Sequence, residues 1–167
     1  MTWKAWCCSA SLLVCLLLPA APAGAGPRFV PLGERPWPGL APGDSPFYDL
    51  ERELLEEFRE LCPEFFCQGL FDNYAPLRLQ CAVEIASDTV SQCAFYVAAS
   101  SHDVHPLTGD LSATRSSWVC ELPLPPGLGV QTWFDHMDVR PGRSGRLFNP
   151  WPGQQSSLFE LLQECLP

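Results

Sequence analysis

The chain has 167 residues, and its 19 aspartates and glutamates outnumber its ten lysines and arginines, for a formal net charge of −9 at pH 7. This acidity excludes nucleic acid and anionic membrane surfaces as favoured partners, because both carry negative charge. Lys4 is the only lysine, so removal of the first residues would exclude Schiff-base catalysis and P-loop nucleotide binding, which both need a lysine amine.

Residues 1–25 have the pattern of a secretory signal peptide. Lys4 supplies a positive start, an apolar run follows over about residues 10–18, and small residues end in the cleavage signal Ala23-Gly24-Ala25. The apolar run is shorter than the roughly 20 residues that a membrane-spanning helix needs, and no second run follows. We therefore predict a secreted, extracellular protein that is cleaved after Ala25 and is not inserted in a membrane in its mature form.

The cysteines indicate the same compartment. Cleavage leaves six of the nine: Cys62, Cys67, Cys81, Cys93, Cys120 and Cys165. An even number in an oxidising compartment indicates a disulfide framework. Zinc binding is the alternative, but Cys62 and Cys67 have no second pair at metal-ligand spacing.

A stiff arm precedes the predicted domain. Residues 26–44 are rich in proline and glycine, which predicts an extended or turned chain. Four apolar side chains of this arm could pack along the domain: Phe29, Val30, Leu32 and Trp37. A single domain is predicted over residues 45–167.

The domain opens with a long amphipathic helix. Ser45 can cap it, and Pro46 suits the first helical position, where a missing N–H costs nothing. One apolar stripe follows at three- and four-residue intervals: Phe47, Leu50, Leu54, Phe58, Leu61 and Phe65. Pro63 is expected to end the helix near Cys62. The acidic residues on the other faces are expected to be solvated, with docking of a basic partner as the alternative.

Two strands with a shared disulfide are predicted next. Residues 77–85 alternate, which places Leu77, Leu79, Cys81, Val83 and Ile85 on one buried face. Residues 91–99 alternate in the same way, with Cys93, Phe95, Val97 and Ala99 inward. Reflecting one strand on the other about Ser87 places Cys81 opposite Cys93, at a separation that a disulfide can span. The other four cysteines allow three pairings, between which the sequence does not choose.

The rest of the chain completes an α+β domain. A loop over residues 100–110 leads to a third strand over residues 116–122, and a fourth strand is predicted over residues 130–139. A short C-terminal helix follows, with Ser157 and Glu160 forming a capping box. The predicted fold is a long helix packed on an antiparallel meander of about four strands, stabilised by disulfides.

No catalytic, cofactor-binding or metal-binding residues are predicted. Two polar loops could offer ligands to a divalent ion: His102, Asp103 and His105 in one, and Asp135, His136 and Asp138 in the other. Loop ligands lack the fixed geometry of ligands on a helix, so solvated loops are the favoured interpretation. No G-x-S-x-G motif or unpaired cysteine supplies a nucleophile. We therefore predict that the protein is not an enzyme.

A basic loop near the C-terminus has the spacing of a processing site. Arg140, Arg143 and Arg146 form two overlapping R-x-x-R patterns in a glycine-rich segment, and secretory processing proteases select arginines at this spacing. Cleavage after Arg143 or Arg146 would release a C-terminal peptide, unless Cys165 tethers it. The alternative interpretation is a basic surface turn.

The order of elements over roughly residues 45–139 is similar to the cystatin superfamily. Its members have a long helix followed by an antiparallel meander with a disulfide-bearing hairpin. The resemblance implies a cystatin-like fold and inhibition of papain-type cysteine proteases through two hairpin loops. At the positions of these two hairpin loops, the predicted turns have the sequences "ASDTVSQ" and "PLPPGLG".

Three hypotheses for function follow. The leading hypothesis is a secreted, non-enzymatic module that binds an extracellular protein or acts as a signal, with Tyr96, Trp133 and Phe148 as candidate contact residues. The second is a precursor that releases a C-terminal peptide. The third is a cystatin-like protease inhibitor.

Overall fold

The structure, a computed structural model, describes residues 26, 28–138 and 145–167. Ala23, Ala25, Arg140 and Arg143 lie outside these ranges. The described elements, in chain order, are β1 (Phe29–Pro31), α1 (Pro46–Phe65), β2 (Asn73–Glu84), β3 (Thr89–Val104), β4 (Leu111–Leu122), α2 (Val130–Asp138) and α3 (Leu158–Cys165), with short 3-10 helices at Leu32–Glu34 and Arg146–Phe148. Within the described ranges, no helix is both long and apolar enough to span a bilayer.

The four strands form one antiparallel sheet in the order β1-β2-β3-β4. Opposed residues of neighbouring strands share a face, and successive residues alternate between faces. The face that carries Leu79, Phe95 and Cys120, which we call the inner face, is buried in one cluster with the apolar side chains of all three helices. This arrangement confirms the predicted α+β, disulfide-stabilised fold.

Helix α1 begins as predicted but runs further. The Ser45 hydroxyl accepts a hydrogen bond from the N–H of Phe47, and Pro46 is the first helical residue. The helix does not end before Pro63 and continues to Phe65. Pro63 lies in the last turn, where its missing N–H removes only one hydrogen bond. Buried Phe66 stacks on Phe58, with ring centroids 4.9 Å apart, and this packing holds the last turn in place.

Strand β2 contains a bulge that the alternation did not reveal. The register shifts between Pro76 and Arg78, so Leu77 is exposed rather than buried. Ile85, which was also predicted to face inward, lies in the turn after the strand and is exposed. A bulge adds one residue to one strand and moves the side chains on either side of it out of phase.

The predicted fourth strand is wrong, because residues 130–138 form helix α2. Its buried side chains, Val130, Trp133 and Met137, recur at helical rather than alternating intervals. The fourth strand of the sheet comes instead from the proline-rich arm. In β1, Val30 pairs with Val83 of β2, and the arm is therefore part of the folded domain.

Three disulfides join these elements. Cys62–Cys67 closes the end of α1, and Cys120–Cys165 joins β4 to α3. The third bond is Cys81–Cys93, the pair that the hairpin register predicts. The last helix has the predicted capping box between Ser157 and Glu160.

Acidic side chains of α1 bind the chain rather than only water. Glu51 accepts a hydrogen bond of 2.9 Å from the N–H of Leu79 in β2. Glu57 accepts another of 2.9 Å from the N–H of Leu147. The helix face that was expected to be solvated therefore ties α1 to the sheet and to the C-terminal segment.

Replacement of Glu51 by glutamine tests the energetic effect of this burial. Burial raises the pKa of Glu51 above its ordinary value of 4.5, although the Leu79 hydrogen bond and Arg78 act in the opposite direction. A raised pKa in the folded state means that ionisation of Glu51 favours the unfolded chain as the pH rises above 4.5. The stability of E51Q relative to the parent is therefore expected to increase between about pH 3 and pH 7, as measured by urea unfolding. An equal trend in E56Q, which changes an exposed carboxylate of α1, would contradict this explanation.

Candidate functional site

A long β-hairpin extends beyond the helices. Strand β3 continues to Val104 and β4 begins at Leu111, so the turn spans only residues 105–110. Residues 100–104 of the loop predicted over residues 100–110 are therefore strand, and only residues 105–110 form a turn. The Ser-Ser-His-Asp sequence of this strand segment lacks apolar alternation, and both faces of this part of the hairpin are accessible to water, with no helix of the described residues packed on it.

The turn of this hairpin is ordered by local hydrogen bonds. The N–H of His105 donates to the carbonyl of Asp110 at 2.9 Å, and the N–H of Thr108 donates to His105 Nδ1 at 3.2 Å. Gly109 has a φ of +75°, which glycine adopts at little cost. The hairpin therefore presents its tip in a defined conformation.

The second face of the sheet, which we call the outer face, is not covered by any described helix. Strand register assigns its members, because Tyr96 pairs with Val119, and Val104 with Leu111. Sheet residues of the buried cluster all lie on the inner face. The apolar members of the outer face on β3 and β4 include Tyr96, Ala98, Val104, Leu111, Ala113 and Val119.

Three of these side chains expose much of their apolar surface. Leu111 is 80 % exposed, and Val104 and Val119 are each 56 % exposed. Tyr96 and Val119 also line a shallow depression of about 300 Å³ on the same face. The outer face combines apolar groups with a continuously hydrogen-bonded strand backbone, which is suited to binding a protein surface.

The aromatic side chains proposed as contacts have different positions. Tyr96 lies half-buried on the outer face. Trp133 is fully buried and contacts Trp151, so it is not available to a partner. Phe148 is partly exposed but packs on Phe159, with ring centroids 4.9 Å apart.

The structure does not bring the polar loop residues together as ligands. His102 and Asp103 are successive residues of β3 and point to opposite faces of the hairpin. His136 lies on α2, where its Nε2 is 2.7 Å from the carbonyl oxygen of Pro150. Across residues 28–138 and 145–167, no group of three or more His, Cys, Asp or Glu side chains could hold a metal ion.

Arg146, one of the three proposed processing residues, belongs to the folded domain. Its side chain is buried, with Nη2 3.0 Å from Glu53 Oε2 and 3.1 Å from Asp138 Oδ1. The other two arginines lie outside the described residues. The Cys120–Cys165 disulfide connects the segment that follows Arg146 to the sheet.

The two turns compared with cystatin loops are placed differently from each other. The segment "ASDTVSQ" lies at the β2–β3 hairpin, whose turn spans residues 85–88. The segment "PLPPGLG" connects β4 to α2 and is not a hairpin turn, because the segment after it is helical. The second hairpin turn that the cystatin resemblance implies is therefore absent at the "PLPPGLG" segment.

Known proteins offer no match. No family model, curated protein or solved structure is detectably similar to this chain. The function is therefore inferred from the surface itself. Of the features described above, the outer face has the strongest chemical character, since its apolar side chains are exposed on a well-ordered sheet.

The sequence did not point to this surface as a whole, although Tyr96, one of the predicted contact residues, lies on it. The alternation along β4 could have indicated this surface. Val119 lies between Trp118 and Cys120, which face the core, so Val119 must face away from the core. That none of the three described helices covers this face depends on long-range packing, which alternation within one strand does not specify.

Proposed function

We propose that this protein is a secreted, non-enzymatic module that binds an extracellular protein partner through the outer face of its sheet. The observation that carries the proposal is the set of exposed apolar side chains at Val104, Leu111 and Val119. Apolar groups exposed on one uncovered sheet face gain free energy when a partner removes them from water.

The hairpin is suited to this role because its two strands are continuously paired. Residues of β3 and β4 pair without a register shift from Cys93–Leu122 to Val104–Leu111. The Cys81–Cys93 bond also links β2 and β3 beneath the outer face. A rigid surface loses little conformational entropy on binding, so more of the contact energy contributes to affinity.

Secretion is supported by the signal-peptide pattern of residues 1–25 and by the disulfides. Bonds of this kind persist in oxidising compartments and are rare in the cytosol. The net charge of −9 favours a partner that is neutral or basic around its apolar contact area.

The precursor hypothesis is less well supported than binding. Cleavage after Arg143 or Arg146 would leave the Cys165 segment joined to Cys120 of β4. The product would be two chains held by a disulfide, and a peptide would be released only after reduction. The inhibitor hypothesis is also less well supported than binding, because the "PLPPGLG" segment does not form the second hairpin turn that the hypothesis needs.

The double variant Leu111→Ser/Val119→Ser tests the proposed surface. We expect it to lose at least about tenfold in affinity for the partner, because two exposed apolar anchors are removed from the contact area. The purified secreted protein would be used to capture and identify cell-surface or serum proteins, and binding of each captured protein would then be measured with the parent and the variant.

A matched control lies elsewhere on the molecule. Leu70 is 72 % exposed in the connection between α1 and β2, and L70S should bind like the parent. Circular dichroism and the thermal midpoint should be the same in all three proteins, since none of the substituted side chains is buried. Equal loss of binding in L70S, or full binding in the double variant, would contradict the proposed surface.

A further inference from the structure

Strand β4 is a long free edge of the sheet. The strand order leaves β1 and β4 at the two edges. β1 has three residues and ends at Pro31, which has no N–H to donate, whereas β4 has twelve residues. In the described part of the chain, β4 pairs with β3 and with no other segment. Such an edge has unpaired N–H and C=O groups along its whole length.

This edge lacks most of the usual protection against strand pairing. Natural edge strands are short or carry charged side chains, proline or a bulge that hinders the approach of another strand. β4 has twelve residues and no proline, and its register with β3 is continuous. Its two charged side chains, Arg115 and Glu121, have opposite signs, so they repel another strand only in some registers. Five of its twelve residues are small serine, alanine or threonine: Ser112, Ala113, Thr114, Ser116 and Ser117. A second strand can therefore approach β4 closely.

The charges on β4 indicate which kind of strand would pair with this edge. Arg115 and Glu121 both lie on the outer face, because they pair with Ser100 and Ala94. Neither makes an ion pair or side-chain hydrogen bond within residues 28–138 and 145–167. In an antiparallel pair of β4 strands centred on Trp118, residues three positions before and after the centre face each other. Arg115 of each copy then lies opposite Glu121 of the other copy.

We propose that a second copy of this chain binds along β4, forming a two-fold antiparallel dimer with Trp118 at the symmetry axis. The dimer has a continuous eight-stranded sheet and two cross-strand Arg115–Glu121 ion pairs. Ser117 of each copy lies opposite Val119 of the other copy. The two outer faces become one extended surface, which goes beyond the single-domain surface proposed above.

Charge reversal gives a sharp test of the register. In R115E both ion pairs become Glu–Glu contacts, and in E121R both become Arg–Arg contacts. We expect each variant to dimerise at least about tenfold more weakly than the parent in sedimentation equilibrium of the purified secreted protein. An equimolar mixture of R115E and E121R should recover dimerisation, because every Glu then faces an Arg. The double variant R115E/E121R should recover it on its own.

Two comparisons separate the register from the overall charge. R59E makes the same change in net charge on an exposed arginine of α1, and it should dimerise like the parent. E121R lowers the net negative charge and is nevertheless expected to weaken dimerisation. Circular dichroism of each variant should match that of the parent, since Arg115 and Glu121 are both exposed.

Several results would overturn the proposal. The proposal is wrong if the parent protein stays monomeric at all concentrations. It is also wrong if an unrelated extended peptide, rather than a second copy, is found paired with β4. Normal dimerisation of R115E, or a mixture that stays monomeric, would also reject the Trp118-centred register. These outcomes do not depend on capture of a different protein by the outer face, so the two proposals can fail separately.

Discussion

Replacement of both Cys120 and Cys165 by alanine is expected to lower the free energy of unfolding by about 4 kcal/mol. The two residues are separated by 45 positions, the largest separation among the three disulfides. A crosslink restricts the unfolded chain more when it closes a longer loop. Loss of this bond should therefore be the most destabilising of the three disulfide deletions.

The enclosed loop also contains much of the core. Trp133 of α2 and Trp151 are fully buried and in contact, with ring centroids 6.1 Å apart. Leu162 of α3 is also fully buried. Without the bond, the unfolded state gains freedom for the segment that supplies these side chains. Guanidinium unfolding followed by tryptophan fluorescence measures the change by linear extrapolation.

The matched control is the deletion of the shortest bridge. Cys62 and Cys67 are separated by five positions, so C62A/C67A is expected to cost only about 2 kcal/mol. Both double variants remove one disulfide and two sulfur atoms. If the two variants lose equal stability, loop length does not determine the contribution of these bonds.

The second large effect is expected for Arg146→Ala, at about 3 kcal/mol of unfolding free energy. Arg146 is 4 % exposed, and its guanidinium faces the carboxylates of Glu53 and Asp138. The substitution removes the buried cation that joins these groups and leaves a cavity between α1 and the C-terminal segment. Urea unfolding of the purified protein gives the comparison.

Two further variants separate charge from volume. Arg52 makes an exposed ion pair of 2.7 Å with Asp49, and R52A should change stability by no more than about 0.5 kcal/mol. R146M fills most of the cavity without a charge, so its stability reports the contribution of packing alone. An R146A protein as stable as R52A would show that the buried contact contributes little.

The first helix and the central hairpin could be predicted because local patterns determine them. The stripe that contains Leu50, Leu54 and Phe58 requires only the helical repeat. The Cys81–Cys93 pair follows from reflection about Ser87, and the actual register agrees at that position. The register shifts between Ala82 and Val83, where Ser91 is an extra residue of β3, and alternation alone does not show this change in the pairs nearer the turn.

Helix α2 could not be assigned from local preference. Its valine, threonine, tryptophan and phenylalanine favour strands, and its length of nine residues is marginal for an isolated helix. The deciding contacts are tertiary: Trp133 lies 6.0 Å from Phe47 of α1, measured between ring centroids. Packing against a distant helix overrides the preference of the segment.

The candidate surface was missed for a related reason. The alternation of β4 assigns Val119 to the face opposite Cys120, but it does not show that this face stays uncovered. The extension of the hairpin to Val104 was missed because its polar residues lack alternation. Both features depend on where the helices end over the sheet, which is a property of the assembled domain.

The positions of the disulfides along the chain have a consequence for biosynthesis. Cys62–Cys67 and Cys81–Cys93 use only thiols from the first 93 residues, so neither bridge needs the segment that carries α2 and α3. Cys120 can form its native bond only after Cys165 is available. It is the one cysteine of the described sheet whose partner lies outside the sheet. Pairing of Cys120 with another thiol before Cys165 is available would give a non-native disulfide, and thiol–disulfide exchange would then be needed to reach the native set.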